Sequence, residues 1–166
     1  MDADSKKAAL RMIPYGLYVL TAKSGNDIAA ATVNWVTQTS FAPPLLVVGV
    51  KADSGSYATA RAAGSFALNM LGKGQQGPAF TFFKPAVAEG DKISGMSFKP
   101  GSTGAPLLTD CPAAVECKIV EVIEQGDHHI FLAEVVNAHI FNPFEGRADA
   151  NILEMKDLGE KVFYGG

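Results

Sequence analysis

Two Val- and Ile-rich runs, Ala113 to Glu124 and His129 to Phe141, face each other across the short polar segment Gln125-Gly126-Asp127. Runs of this length and composition around a glycine-containing turn form a long antiparallel hairpin. A hairpin that long needs further strands, because its edges carry unpaired backbone groups. The rest of the chain supplies them. Leu17 to Ala22 reads as a strand, Ser24-Gly25-Asn26-Asp27 as a hairpin turn, and Ile28 to Ser40 as one long return strand. Pro43-Pro44 interrupts the ladder before the apolar run Leu45 to Val50, and Phe66 to Leu71 adds another strand.

Helical signals are few. Residues 3 to 12 read as a short leading helix stopped by Pro14, and Tyr57 to Ala63 as a second helix ending at Gly64. Pro78 to Phe83 has room for a helical turn within Gly72 to Pro106, a stretch without sustained period that reads as loops over a site. The expected class is mainly β with minor α, its antiparallel strands closed into a barrel with short flanking helices. With 166 residues, 48% of them hydrophobic, and no internal repeat, the chain is expected to form a single domain. Its core spans residues 14–141, and a polar C-terminal tail, 142–166, is placed to wrap a partner subunit.

The net charge of −3 is spread along the chain without basic blocks, which argues against nucleic acid as a partner. No apolar run approaches the roughly 18 residues of a membrane span. The acidic and basic start, Met1-Asp2-Ala3-Asp4-Ser5-Lys6-Lys7, lacks the order of a signal peptide, so a cytoplasmic location is expected. Cys111 and Cys117 stand six apart in no metal-type spacing and read as reduced, half-buried thiols.

Chemistry concentrates in three places. Strand alternation on Ala31 to Ser40 puts Thr32, Asn34, Gln38 and Ser40 on one face, too polar for a core face. That face meets either solvent, a loop or a flat polar ligand, and Trp35 serves either as a core aromatic or as cover for a planar ring. Next, Lys51-Ala52-Asp53-Ser54-Gly55-Ser56 leads from a strand into the helix near Tyr57. Its free N–H groups and hydroxyls suit a phosphate, and its serines equally suit a helix cap. Third, adjacent strand residues point to opposite faces, so His128 and His129 do not share a metal. A histidine beside Asp127 is either structural or orients a charged ligand. The letters Gly72-Lys73-Gly74-Gln75-Gln76-Gly77 match a dinucleotide fingerprint, but Pro78 follows directly and the surrounding strands are antiparallel, so no nucleotide fold is read from them.

Taken in order, these segments resemble the flavin reductase-like FMN-binding split-barrel family. The pattern T-x-N followed by S-x-x-P-P matches Thr32-Val33-Asn34 and Ser40-Phe41-Ala42-Pro43-Pro44. S-x-[ST] matches Ser54-Gly55-Ser56, G-x-F-x-x-N matches Gly64 to Asn69, D-K matches Asp91-Lys92, and G-D-H matches Gly126-Asp127-His128. Each is short, and their shared order over residues 14 to 139 carries the resemblance.

The resemblance implies FMN as cofactor and NADH or NADPH as electron donor. It assigns cofactor binding to Thr32, Val33, Asn34, Trp35, Gln38, Ser40, Lys51, Ser54, Ser56 and Tyr57, and places His128 beside the flavin and nicotinamide. It further implies a homodimer that hands electrons to a redox protein or a monooxygenase. Trp35 and Gln38 depart from the two-component monooxygenase reductases, which carry a small residue and a serine there. Two activities remain: an NAD(P)H:flavin oxidoreductase, or an FMN-binding electron carrier or sensor with little nicotinamide turnover.

Overall fold

A computed structural model describes residues 1–166. The chain opens with α1 (Ala3–Arg11), whose first turn is capped by the Asp2 carboxylate accepting from the Ser5 N–H at 2.7 Å. It continues through β1 (Tyr18–Ser24), β2 (Asp27–Val33), β3 (Val36–Ser40), β4 (Leu45–Lys51), α2 (Gly55–Ala63), β5 (Ser65–Met70) and α3 (Gln76–Thr81). Four short strands follow: β6 (Ala88–Glu89), β7 (Lys92–Ile93), β8 (Met96–Pro100) and β9 (Pro106–Leu108). The long hairpin is β10 (Ala113–Ile123) and β11 (His128–Ile140), and two 3₁₀ turns, Ala148–Ala150 and Met155–Leu158, lie in the tail. No helix is long and apolar enough to cross a membrane.

Seven strands form one antiparallel sheet in the order β2-β1-β5-β10-β11-β4-β3. Its two edges, β2 and β3, are consecutive in the chain and joined through Asn34 and Trp35. This corrects two expectations. The segment Ile28 to Ser40 is not one strand: its first half pairs with β1 and its second with β4. The barrel is also not closed, because no ladder joins β2 to β3. A segment divided between two partners must turn where it changes allegiance, and that turn takes the place of a closing ladder.

Strands β1 and β5 of this sheet are buried on both faces. On β1, Val19 enters a core shared with Leu71, Phe82, Leu108 and Leu153, while Leu20 enters another with Phe66, Phe131 and α2 residues Tyr57 and Ala60. This is the period-2 alternation of a strand applied to two apolar layers. Burying each of these large side chains stabilises the fold by about 1.5–3 kcal/mol. Helix α2 ends where expected, at Gly64, whose φ of +68° would strain any residue with a side chain.

Two further segments differ from expectation. The stretch from Gly72 to Pro106 is not all loop, since β6 to β9 form a second, four-stranded sheet. The tail folds back on its own chain: Leu153, Met155 and Leu158 are buried, and bridges pair Gly16 with Glu154 and Gly72 with Ile152. Cys111 and Cys117 are free and fully buried, and burial, with Asp110 and Glu116 alongside, pushes their thiols up to about 12. Such thiols are inert.

One carboxylate lies wholly inside. Glu116 on β10 is 0% exposed and accepts from the Thr103 N–H at 2.7 Å, the Thr103 hydroxyl at 2.9 Å and the Ser102 hydroxyl at 3.1 Å. Its other oxygen meets His139 Nε2 at 2.8 Å and Asn137 at 3.3 Å. Burial alone would raise its pKa; the donors from Thr103, His139 and Ser102 outweigh burial and hold it at about 2. Glu116 thereby ties the loop before β9 to the long hairpin. A depressed carboxylate contributes stability above its unfolded pKa and loses it as pH falls through the folded one. Urea unfolding between pH 5 and pH 2 is expected to lose about 3 kcal/mol through this group. Glu116→Gln is expected to flatten that pH dependence, and an unchanged slope would show that Glu116 does not carry it.

Candidate functional site

The break between β2 and β3 has a local cause. At Trp35 the chain leaves the β1 ladder, and the Trp35 carbonyl accepts instead from Gly49 N–H on β4 at 2.9 Å. The indole lies against the same glycine, where an added Cβ would come within 3.2 Å of the ring. Gly49 is the residue that admits so close an approach. The turn pulls Asn34 inward until it is 4% exposed.

Opposite this corner lies the turn between β10 and β11. Strand register pairs His128 with Lys51 at the end of β4, and Ala52 N–H donates to the Asp127 carbonyl at 3.0 Å. The loop leading to α2 and the histidine turn are therefore held side by side. His128 packs its ring 4.6 Å from that of Trp35. Its Nδ1 is 2.9 Å from the Asp127 carboxylate and its Nε2 is 2.7 Å from the Tyr164 hydroxyl.

Hydrogen-bond logic orders this chain of three groups. The hydrogen bond to His128, followed by the attraction of its ring, lowers the Asp127 pKa, so Asp127 is an acceptor only. His128 then donates from Nδ1, and in the neutral ring Nε2 is the accepting nitrogen. Burial, chiefly, raises the Tyr164 phenol above its ordinary value, which keeps it protonated and donating. The Tyr164 carbonyl also accepts from the Asn34 side-chain amide at 3.0 Å, and its ring stands 5.5 Å from Trp35. One buried polar atom in this cluster finds no partner, the indole N–H of Trp35.

The loop Lys51–Ser56 offers a second set of donors. Ser54 caps α2: its hydroxyl accepts from Tyr57 N–H at 3.1 Å and donates to the Lys51 carbonyl at 2.7 Å. Both capacities are thus used, leaving Ser56 and the free N–H groups of the first helical turn. Lys51 pairs with Asp53 at 3.1 Å, but both side chains are more than half exposed. Such a pair contributes at most about 1 kcal/mol and exchanges readily for a stronger anion.

The other residues expected in the site have mostly structural positions. Thr32 is turned toward α3, its hydroxyl donating to the Ala79 carbonyl at 2.8 Å, and Val33 is buried in the core under α2. Tyr57 stacks on Phe131 with its rings 2° from parallel, and its hydroxyl meets His129, Arg61 and Glu124. Gln38 and Ser40 lie on edge strand β3, bonded to one another. The structure therefore brings together Asn34, Trp35 and His128, with Lys51, Ser54 and Ser56 alongside. It adds Tyr164, which strand periodicity had no means of finding because it lies in a tail without any; an aromatic pair, Phe163-Tyr164, before two glycines was the available signal.

A second hollow of about 400 Å³ lies on the far side of the tail, bounded by Arg11, Tyr15, Glu154, Phe163 and Tyr164. It sets aromatic rings beside the cations Arg11 and Lys156, but it lacks the helix N-terminus, the histidine turn and the unpaired Trp35 N–H.

The sequence matches the model of the flavin reductase-like domain over residues 10–152. It is 33% identical over 141 residues to Diflavin flavoprotein A 1 of Synechocystis, covering 84% of this chain and 24% of that one. It is 34% identical over 136 residues to the "Probable flavin reductase" of Rhizobium meliloti, covering 81% and 42%. The chain thus spans less than half the length of these relatives. Among solved structures, the NADH:FAD oxidoreductase of Streptomyces globisporus superposes with a TM-score of 0.73 at 27% identity, over 92% of this chain and 87% of that one. Another structure of the same oxidoreductase contains NAD and FAD fragments.

The packing of Trp35 on Gly49 is directly testable, since Trp35 is the only tryptophan. With the indole also held by His128 and Tyr164, Gly49→Ala is expected to cost about 1–3 kcal/mol of stability and to shift tryptophan emission. Unaltered emission and stability would show that the corner tolerates the extra atom.

Proposed function

The chain belongs to the flavin reductase-like family, and from that premise we propose that it is an FMN-dependent oxidoreductase reduced by NADH or NADPH. The observation that carries this reading is the corner of Asn34, which is buried, and Trp35 and His128, which are half-buried, beside the N-terminus of α2. Its free groups are nearly all donors: the orphan indole N–H, the Lys51 ammonium, the Ser56 hydroxyl and the first-turn N–H groups. FMN is the complementary ligand, a flat ring rich in carbonyls joined to a phosphate.

In this reading Lys51, Ser56 and the start of α2 hold the phosphate, with Ser54 capping the helix end that presents them, and helix dipole and cation act together. Asn34 and Trp35 meet the ring system, with Thr32, Val33, Gln38, Ser40 and Tyr57 shaping the walls behind them. FMN held there would supply two-electron redox chemistry between a reduced nicotinamide and an acceptor. His128 binds and orients. Fixed by Asp127, it presents Nε2 as an acceptor, positions a nicotinamide and transfers no proton.

The acceptor is proposed to be a redox protein or monooxygenase component. The working unit is proposed to be a homodimer, supported by a hollow of about 330 Å³ on the sheet that is bounded largely by Tyr18, Val36, Leu46, Val115 and Val135, and by Phe41, which is 91% exposed. The electron-carrier reading shares the same site and differs in one measurement. Under anaerobic conditions, NADH or NADPH added to the FMN-loaded protein is expected to bleach the flavin band, and persistent colour with both would favour the carrier.

Two sets of variants test the assignments. Ser54→Ala with Ser56→Ala is expected to weaken FMN retention beyond Ser54→Ala alone, which isolates loss of the cap; equal retention removes the phosphate assignment. His128→Ala is expected to slow flavin reduction about tenfold, the worth of one oriented hydrogen bond, while flavin content changes less. Parallel loss of both would make His128 part of the scaffold.

A further inference from the structure

The residues assigned to ring binding are all covered by one residue of the tail. Tyr164 gives its carbonyl to Asn34, its hydroxyl to His128 Nε2 and its ring to both Trp35 and His128. In chemical terms it offers a flat ring that bears one donor, the hydroxyl, and beside it one acceptor, its own backbone carbonyl. The match is incomplete, because the Trp35 indole N–H stays without an acceptor although Gly165 passes beside it. A buried donor left unpaired disfavours this arrangement on the order of tenfold relative to one that satisfies it. Apart from the contacts of Tyr164, the last four residues are held by Arg11 stacked 3.9 Å over Phe163 and a long 3.5 Å contact to the Gly165 carbonyl at the exposed end.

We propose that Tyr164 is a specificity-determining residue, an internal occupant of the ring site that yields to a planar ligand bearing a carbonyl acceptor and an N–H donor. Such a ligand replaces both Tyr164 hydrogen bonds, and a further carbonyl satisfies Trp35 as well. The carboxamide of a nicotinamide and the pyrimidine edge of a flavin share this chemistry. Rings that lack either group leave Asn34 or His128 unpaired and are disfavoured. The inference rests on the proposed function and identifies what the same site selects.

Full-length Tyr164→Ala and Tyr164→Phe test it. FMN is titrated against the emission of Trp35, and KM for NADH and NADPH is measured at saturating FMN. Removing an occupant tightens whichever ligand takes its place, so Tyr164→Ala is expected to lower one of these constants about tenfold. Tyr164→Phe, which keeps the ring and loses only the hydroxyl, is expected to lower it about threefold. A shift in the FMN constant identifies the flavin edge as the displacing group; a shift confined to KM identifies the nicotinamide. Weaker binding in both variants would make Tyr164 a wall of the site, and unchanged constants would leave it without a selective role; either result overturns the inference. Failure of the unaltered protein to bind FMN would instead overturn the proposed function itself.

Discussion

The pairing of β4 with β11 is the constraint from which the site follows. Its register sets Lys51 against His128, and the Ala52-to-Asp127 hydrogen bond extends that pairing past the ends of the strands. A slip of one residue would turn His128 to the other face of the sheet and bury a residue meant for solvent. The apolar alternation of Leu46, Val48 and Val50 against Phe131 and Ala133 prevents it. A recognition feature built on two loops thus inherits the precision of a core.

The second consequence is electrical. Near the corner, carboxylates are consumed: Asp127 by His128, Asp53 by Lys51, and Glu124 by Arg61. What is left over are N–H groups, hydroxyls and an exchangeable cation. This imbalance favours an acceptor-rich anion without requiring a large net positive charge, which the chain does not have. Glu116 and His139 are a separate, fully satisfied group whose role is to fasten a loop.

Much of this architecture was legible from residue order. The long hairpin, the α2 helix with its Gly64 stop and the β1–β2 turn follow from periodicity and turn chemistry, which act locally. The division of Ile28 to Ser40 into two strands does not, since Thr, Val and Ala alternate smoothly through Asn34 and the cause, Gly49, lies on another strand. Strands of two residues such as β6 and β7 are too short to show any period. The tail carries isolated apolar residues, Leu153, Met155 and Leu158, whose burial depends on a surface formed by distant segments. Among candidate site residues, Asn34 and His128 stand in short motifs, and Trp35 is marked as an aromatic directly after one. Thr32 shares the first of those motifs and Tyr57 directly follows the serine loop, yet their hydroxyls are spent on Ala79 and on the His129–Glu124 network. A motif records residue type, whereas the direction a side chain takes is settled by packing.

One corner of the sheet, and not the hollow beyond the tail, is proposed to receive the flavin. A crystal structure of the FMN complex tests it most directly. The account predicts the phosphate at the first turn of α2, within hydrogen-bond distance of Ser56, and the ring against Trp35. A phosphate bound at Arg11 and Lys156, with the ring between Tyr15 and Phe163, would contradict it.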